Sequence, residues 1–319
     1  MKEKIIVTGA CGQIGSELTV ALREQWGNEA VIATDVKTPE GELADGPFAH
    51  FDVLDRDRLG ALIQQHKPTQ VYHLAAMLSA TAEKYPLKGW QLNMDSLLYL
   101  LEAAVEANIR KVFFPSSIGA FGSHTPKDQT PQYTTMDPST VYGISKLAGE
   151  GWCQYYFEKR GLDIRSVRYP GLISYKTLPG GGTTDYAIDI FYQALQKGNY
   201  TSFLSADTPL PMMYMPDAIK GTLQLMEAPA DQLTVRTSYN FAGFTFTPDQ
   251  LAQAIQQHIP SFTIQYEPDY RQAIADSWPS SIDDSFARKE WGWQPGYSLE
   301  DMVADMLKNI RAKTATNTY

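Results

Sequence analysis

Cysteine is nearly absent: Cys11 and Cys153 are the only two in 319 residues, too few for a disulfide framework or a Cys-rich zinc site. The five histidines lack H-x-x-x-H spacing, so no metal is expected. No apolar run approaches the roughly eighteen residues of a membrane span. Within Met1 to Gly12 only Ile5, Ile6 and Val7 are strongly apolar, short of a signal-peptide core. The expected setting is the cytoplasm, with earlier removal of a transit segment left open. Positive charge is also scarce, since 27 Lys and Arg against 36 Asp and Glu leave a net charge of −9. An acidic surface repels nucleic-acid phosphates and anionic lipids, so no nucleic acid and no membrane is expected as a partner. The 43% apolar content with 23 Gly and 19 Pro is ordinary for globular chains and excludes collagen-like and low-complexity classes.

The length suits two unequal domains. Short β-branched runs at Lys4–Val7, Ala30–Thr34, Ala49–Asp52, Gln70–Leu74, Lys111–Ser116 and Asp163–Arg168 alternate with amphipathic stretches. The latter, at Gln13–Trp26, Arg56–His66, Gly89–Ala107 and Pro138–Arg160, read as helices, with Asp137 as the cap of the last. Such alternation predicts an α/β fold with a doubly wound parallel sheet. After Arg168 the rhythm breaks at Leu178–Thr184 and Asp207–Met213. We expect residues 1–170 to form one domain and residues 171–319 a smaller α/β lobe, some of whose elements return to the first. Thr247-Pro248-Asp249-Gln250 reads as a capped helix start, and Lys313–Tyr319 as a frayed end.

Four features carry chemistry. Thr8 to Gly15 places glycines at 9, 12 and 15 between the first strand and first helix, where a bare backbone can approach a pyrophosphate at a helix N-terminus. Asp35 follows Gly15 by 35 − 15 = 20 residues and ends the second strand, placed to accept hydrogen bonds from ribose hydroxyls. It predicts NAD over NADP, tempered by Lys37. Tyr142 and Lys146, 146 − 142 = 4 residues apart, share a helix face. Lowering a phenol by roughly three units needs a nearby cation, which Lys146 and an oxidised nicotinamide can supply. Ser116 and Ser117 end the fifth strand, at the edge where ligands bind.

In that order the motifs resemble the extended short-chain dehydrogenase/reductase family, from residue 4 to about 312. The resemblance implies a Rossmann domain holding NAD through Gly9, Gly12, Gln13, Ile14, Gly15 and Asp35. Asp52 and Val53 would lie beside the adenine and Leu74, Ala75 and Ala76 along the cofactor. Asn93 would act as a polar support, with Lys146 on the nicotinamide ribose and Tyr169 nearby. Tyr142 would be the base, and Ser117 or Ser116 would polarise the reacting oxygen. Within the family, PSSIGAFG (115–122), RYPGLIS (168–174), PGGGTTDY (179–186), LPMMYMPD (210–217) and QAIADSWP (272–279) look like the short-chain L-threonine 3-dehydrogenases. The Ser116–Ser117 pair departs from the group's frequent Ser-Thr but keeps the hydroxyl. That likeness adds Ser79, Thr183, Trp278 and the Gly180–Gly182 backbone to an amino-acid pocket. It also implies a homodimer through the helices Gly89–Ala107 and Pro138–Arg160.

Other residues have plainer readings. His73 is expected to be a core histidine, Met212, Met213 and Met215 gap fillers, Trp291 and Trp293 packing, Cys11 a turn filler and Asp217 an N-cap. The expected activity is oxidation of the β-hydroxyl of L-threonine to 2-amino-3-oxobutanoate. A nucleotide-sugar epimerase or dehydratase is the first rival, although Thr177–Leu210 contains only Lys197 to meet a diphosphate. The second is a non-catalytic NAD-sensing regulator, which would not need Ser117, Tyr142 and Lys146 together.

Overall fold

Strands rich in Val, Ile and Phe tolerate burial on both faces, and here helices cover both, as a parallel sheet requires. The computed structural model describes residues 3–178, 180 and 182–316. In the first half, β1 (Ile5–Thr8), β2 (Val31–Asp35), β3 (Phe48–His50), β4 (Gln70–His73), β5 (Lys111–Ser117) and β6 (Asp163–Tyr169) alternate with helices. These are α1 (Gln13–Trp26), α2 (Arg56–His66), α3 (Ser79–Lys84), α4 (Pro86–Trp90), α5 (Ser96–Glu106) and α6 (Val141–Arg160). The second half contains β7 (Gly171–Ile173), α7 (Tyr186–Lys197), β8 (Asn199–Ser202), β9 (Leu210–Tyr214), α8 (Met215–Glu227), β10 (Tyr239–Asn240), β11 (Phe244–Phe246), α9 (Pro248–Gln256), β12 (Thr263–Tyr266), α10 (Tyr270–Ser277), α11 (Ser285–Trp291) and α12 (Leu299–Thr316).

The large sheet has the order β10-β6-β5-β4-β1-β2-β3, all parallel, which is the doubly wound Rossmann arrangement. Its winding changes direction between β1 and β4, opening a crevice at their carboxyl ends. Alternate residues serve opposite faces: Ile5 and Val7 pack with Leu18 and Leu22 of α1 and Leu225 of α8, whereas Ile6 packs with Leu59 of α2 and Leu101 of α5. A third core joins α7, α9 and α12 with Ile118 and Phe121 just beyond β5. The remaining strands form small sheets β11-β9-β7 and β12-β8. Among the described residues no helix is long and apolar enough to cross a membrane.

Two helix starts differ from expectation. Helix α6 begins at Val141, not Pro138, because Thr140 caps it by accepting from Gly143 N at 3.0 Å. Asp137 instead pairs with His124, and its carbonyl lies 2.1 Å from where a Cβ on Gly122 would stand, a close crossing that fixes this segment outside the helix. Asp217 is not a cap either: it lies within the first turn of α8 and accepts from Gly296 N (2.9 Å) and Tyr297 N (3.1 Å), tying down a distant loop. Thr247 and Gln250 do form a reciprocal capping box. Trp293 is buried with its ring 4.4 Å from that of Phe241. The stretch Gly89–Ala107 is not one regular helix, since a π-helical turn, Gln91–Asp95, separates α4 from α5. Of the expected frayed end, residues 317–319 lie outside the described residues.

Candidate active site

The turn after β1 is built for close backbone approach. Gly9 has φ +68°, and a Cβ there would stand 2.6 Å from Ala75 N; at Gly15 it would stand 2.3 Å from Gly9 O. Only glycine meets both demands. The turn borders a cavity of about 520 Å³ lined by Gly9, Gly12, Asp35, Asp52, Val53 and Leu74 to Ala76. Asp35 is held in place by Cys11 N and Lys37 N, each donating at 2.9 Å, so its carboxylate is pre-oriented at the cavity wall. Leu54 N steadies Asp52 in the same way at 3.0 Å. Gln13 Nε2 is buried beside the turn without a hydrogen-bond partner, a donor waiting for an acceptor. Ile14 packs beneath it against the core. This donor set, bare turn and carboxylate fit a dinucleotide.

The cavity has walls the sequence did not disclose: Phe51, Leu54, Met77, Lys88, Gln91 and Leu92 also line it. Lys88, Gln91 and Leu92 follow helical i, i+3, i+4 spacing, a signal that they share a face but not of what that face meets. Asn93, within the π-helical turn, accepts from Met77 N at 2.7 Å and donates to Met77 O at 3.2 Å and Ser145 Oγ at 3.1 Å. It therefore supports the cavity wall from behind.

At the carboxyl end of β5 three polar side chains converge. The Ser117 hydroxyl hydrogen-bonds to the Tyr142 phenol and accepts from Gly119 N at 3.1 Å. Lys146, 4% exposed, donates to Pro115 O at 2.7 Å and lies 5.4 Å from the centre of the Tyr142 ring. Burial pushes the phenol up to about 12, against the opposing Ser117 hydrogen bond. Burial also pushes Lys146 down to about 8, with Cys153 and Glu150 opposing. Burial thus opposes the lowering of the phenol expected from Lys146 and an oxidised nicotinamide together.

Other expected residues divide. Ser116 faces away, donating to Glu150 Oε1 at 2.6 Å, because successive strand residues point to opposite faces; its hydroxyl is not available to a substrate. Tyr169 is likewise no cavity residue, since its ring packs against Phe113 and Phe241 and its hydroxyl bonds to Thr222. Ser79 opens α3, and Gly180 lies near Leu78, where a Cβ would be 3.9 Å from Leu78 Cδ1. Thr183 is buried, and Trp278 shares the apolar core that contains Ile118 and Phe121. Pro179 and Gly181 lie outside the described residues. His73 is a core histidine bonded to Thr8 and Ser96, held down to about 3 by burial and the Lys146 charge. Burial and Asp35 push Cys11 up to about 11, opposite to a reactive thiolate. Among the described residues no cluster of His, Cys, Asp or Glu could hold a metal.

A family model described as the NAD dependent epimerase/dehydratase family matches residues 5–242. An uncharacterized epimerase/dehydratase from Staphylococcus haemolyticus is 51% identical over 314 residues, 98% of each chain. A solved partial consensus L-threonine 3-dehydrogenase is 59% identical, with a TM-score of 0.94 over 97% of this chain and 99% of its own. The L-threonine dehydrogenase of Cupriavidus necator in its holo form is 58% identical, with a TM-score of 0.94 over 96% of this chain and 99% of that one. Its apo form superposes at 0.84 over 97% and 100%, at 54% identity. This chain is therefore closer in shape to that protein's holo form.

Proposed function

We propose, on the premise that the chain belongs to the NAD dependent epimerase/dehydratase family and is an enzyme whose cofactor is NAD, that it oxidises the β-hydroxyl of L-threonine to 2-amino-3-oxobutanoate. The observation that carries this reading is the meeting of Ser117, Tyr142 and Lys146 at the edge of β5, in a chain so similar to L-threonine dehydrogenases. Ser117 holds the substrate oxygen, Tyr142 takes the hydroxyl proton, and Lys146 stabilises the phenolate. The chemistry that bound NAD would supply is that of a hydride acceptor for the β-carbon. Gly9, Gly12, Gln13, Ile14 and Gly15 carry its diphosphate, Asp35 its adenosine ribose, and Asp52, Val53 and Leu74 to Ala76 its flanks. Ser79, Gly180, Thr183 and Trp278 enclose the amino-acid portion.

In this reading residues 1–170 bind the cofactor and residues 171–319 mainly the substrate, with β10, α8 and α11 packed onto the first half. The chain works in the cytoplasm as a homodimer through the stretch Gly89–Ala107 and α6, where Trp90, Ile144, Trp152 and Tyr155 stay exposed. Light scattering should give twice the mass of one chain; a monomer's mass removes the dimer. Mixing the protein with NAD and L-threonine should generate NADH absorbance, and its failure to appear overturns the activity. The epimerase/dehydratase name carried by the Staphylococcus haemolyticus relative favours one second reading, an epimerase or dehydratase reaction, for which a nucleotide sugar is the substrate to try. Turnover of a UDP-sugar in place of L-threonine would establish it.

A further inference from the structure

Two buried charges that the proposed reaction leaves unused meet next to Lys146. Glu150 and Arg168 are 1% and 3% exposed. Glu150 follows Lys146 by one turn of α6, so the two share a face. Its carboxylate accepts from Arg168 Nη2 at 2.8 Å, Arg168 Nε at 3.0 Å and Ser116 Oγ at 2.6 Å. Ser116 is the residue before Ser117 and stands in register with Arg168 across β5 and β6. The other guanidinium hydrogens go to Gln132 O (3.0 Å), Asn240 Oδ1 (2.9 Å) and Met136 Sδ (3.4 Å). Every donor of this arginine is thereby used. Apolar side chains of similar volume often stabilise a core at least as well as a buried ion pair, so stability alone does not account for it.

We propose that Glu150 is a positioning residue: its carboxylate keeps the Lys146 ammonium charged and, through Ser116, fixes the strand end that presents Ser117. This rests on the roles given above to Ser117, Tyr142 and Lys146. The groups facing Lys146 leave Glu150 as the source of negative charge. On α6, Cys153 is pushed upward by burial and stays a thiol, and Tyr142 is held un-ionised. From β4, His73 is kept neutral. From β5 come only the Phe114 ring, 4.9 Å away, and the Pro115 carbonyl. Arg168 stands behind Glu150 as its counter-charge.

The test follows Lys146 itself. In cofactor-free protein carrying lysine isotopically labelled at Cε, with the resonance assigned by Lys146→Arg, the wild-type midpoint should fall at about 8. Glu150→Gln keeps an acceptor for Ser116 and deletes the charge, so the midpoint should drop by about one pH unit. The alkaline loss of kcat in the NAD-loaded enzyme should move down equally, since it reports the same proton. Ser116→Ala leaves the ion pair intact; it should leave the midpoint in place while lowering kcat about tenfold through misplacement of Ser117. Glu150→Gln leaves Arg168 unpaired and can impair folding. The double variant Glu150→Gln/Arg168→Met removes both charges and should show a smaller drop of the same sign. An unshifted midpoint in whichever form folds overturns the charge role, and an unchanged kcat in Ser116→Ala overturns the strand role. A wild type that does not oxidise L-threonine counts instead against the reaction proposed above, which the titration without substrate does not depend on.

Discussion

Tyr142→Phe removes a phenol that burial holds at about 12 beside a lysine that burial brings to about 8. Those values, about four units apart, favour neutral phenol and neutral amine over phenolate and ammonium by about 5 kcal/mol, at 1.36 kcal/mol per unit. Lys146 Nζ lies 5.4 Å from the ring centre, and an ion pair at a separation of about 5 Å returns about 3 kcal/mol at an effective dielectric constant of about 20. About 2 kcal/mol is still missing, and a positive charge that oxidised NAD carries and NADH lacks has the right sign to supply it. At about pH 8, addition of NAD should produce a phenolate band in the ultraviolet difference spectrum, and NADH should not. Tyr142→Phe should abolish the band and lower kcat by about 10²–10⁴-fold while leaving NAD affinity nearly intact. Lys146→Met should move the band about two units higher in pH, the equivalent of the lost attraction. Bands of equal size with NAD and NADH, or one that survives in Tyr142→Phe, would refute this account.

Gly15→Ala puts a Cβ 2.3 Å from Gly9 O and 2.7 Å from Ala10 Cα, backbone atoms that cannot yield; about 1–3 kcal/mol of stability should be lost, and calorimetry should find NAD affinity reduced at least tenfold. A variant that binds NAD like the wild type would place the cofactor elsewhere. Asp35→Ser should narrow the preference for NAD over NADP in kcat/KM, and equal use of both by the unmodified protein would sink the role given to Asp35. Thr183→Ala should raise KM for L-threonine far more than KM for NAD; parallel increases would mean that Thr183 serves the fold.

Much of the first half was legible because helix and strand periods differ: α1 and α2 have the bounds their spacing predicts, and strands β1 to β6 deviate by one or two residues. Spacing also brought Tyr142 and Lys146 together, since four residues on a helix are one turn. Period two could not say which face of β5 meets the substrate, because both faces of a parallel strand are buried. Hence Ser116 and Ser117 read alike, and Tyr169 looked like a cavity residue although it points into the core. The cap of α6 was misread for another reason: Asp137 suits an N-cap locally, but its crossing against Gly122 holds it outside the helix and leaves the cap to Thr140. The roles of Lys88 and Gln91 depend on a helix docking across a loop from β2, a contact with no local signature.

The π-helical turn at Gln91–Asp95 places one residue more in the helix than an α-helical path would use. Its hydrogen-bond ladder is widened at Asn93, the residue that clasps both backbone groups of Met77. Deleting one residue here would heal the ladder into ordinary α-helix, turn Asn93 away from Met77 and release the cavity wall. Resistance to heat and competence in turnover thus pull in opposite directions at this segment. A selection scheme that rewards melting temperature alone should accumulate such deletions and enrich well-folded, slow enzymes.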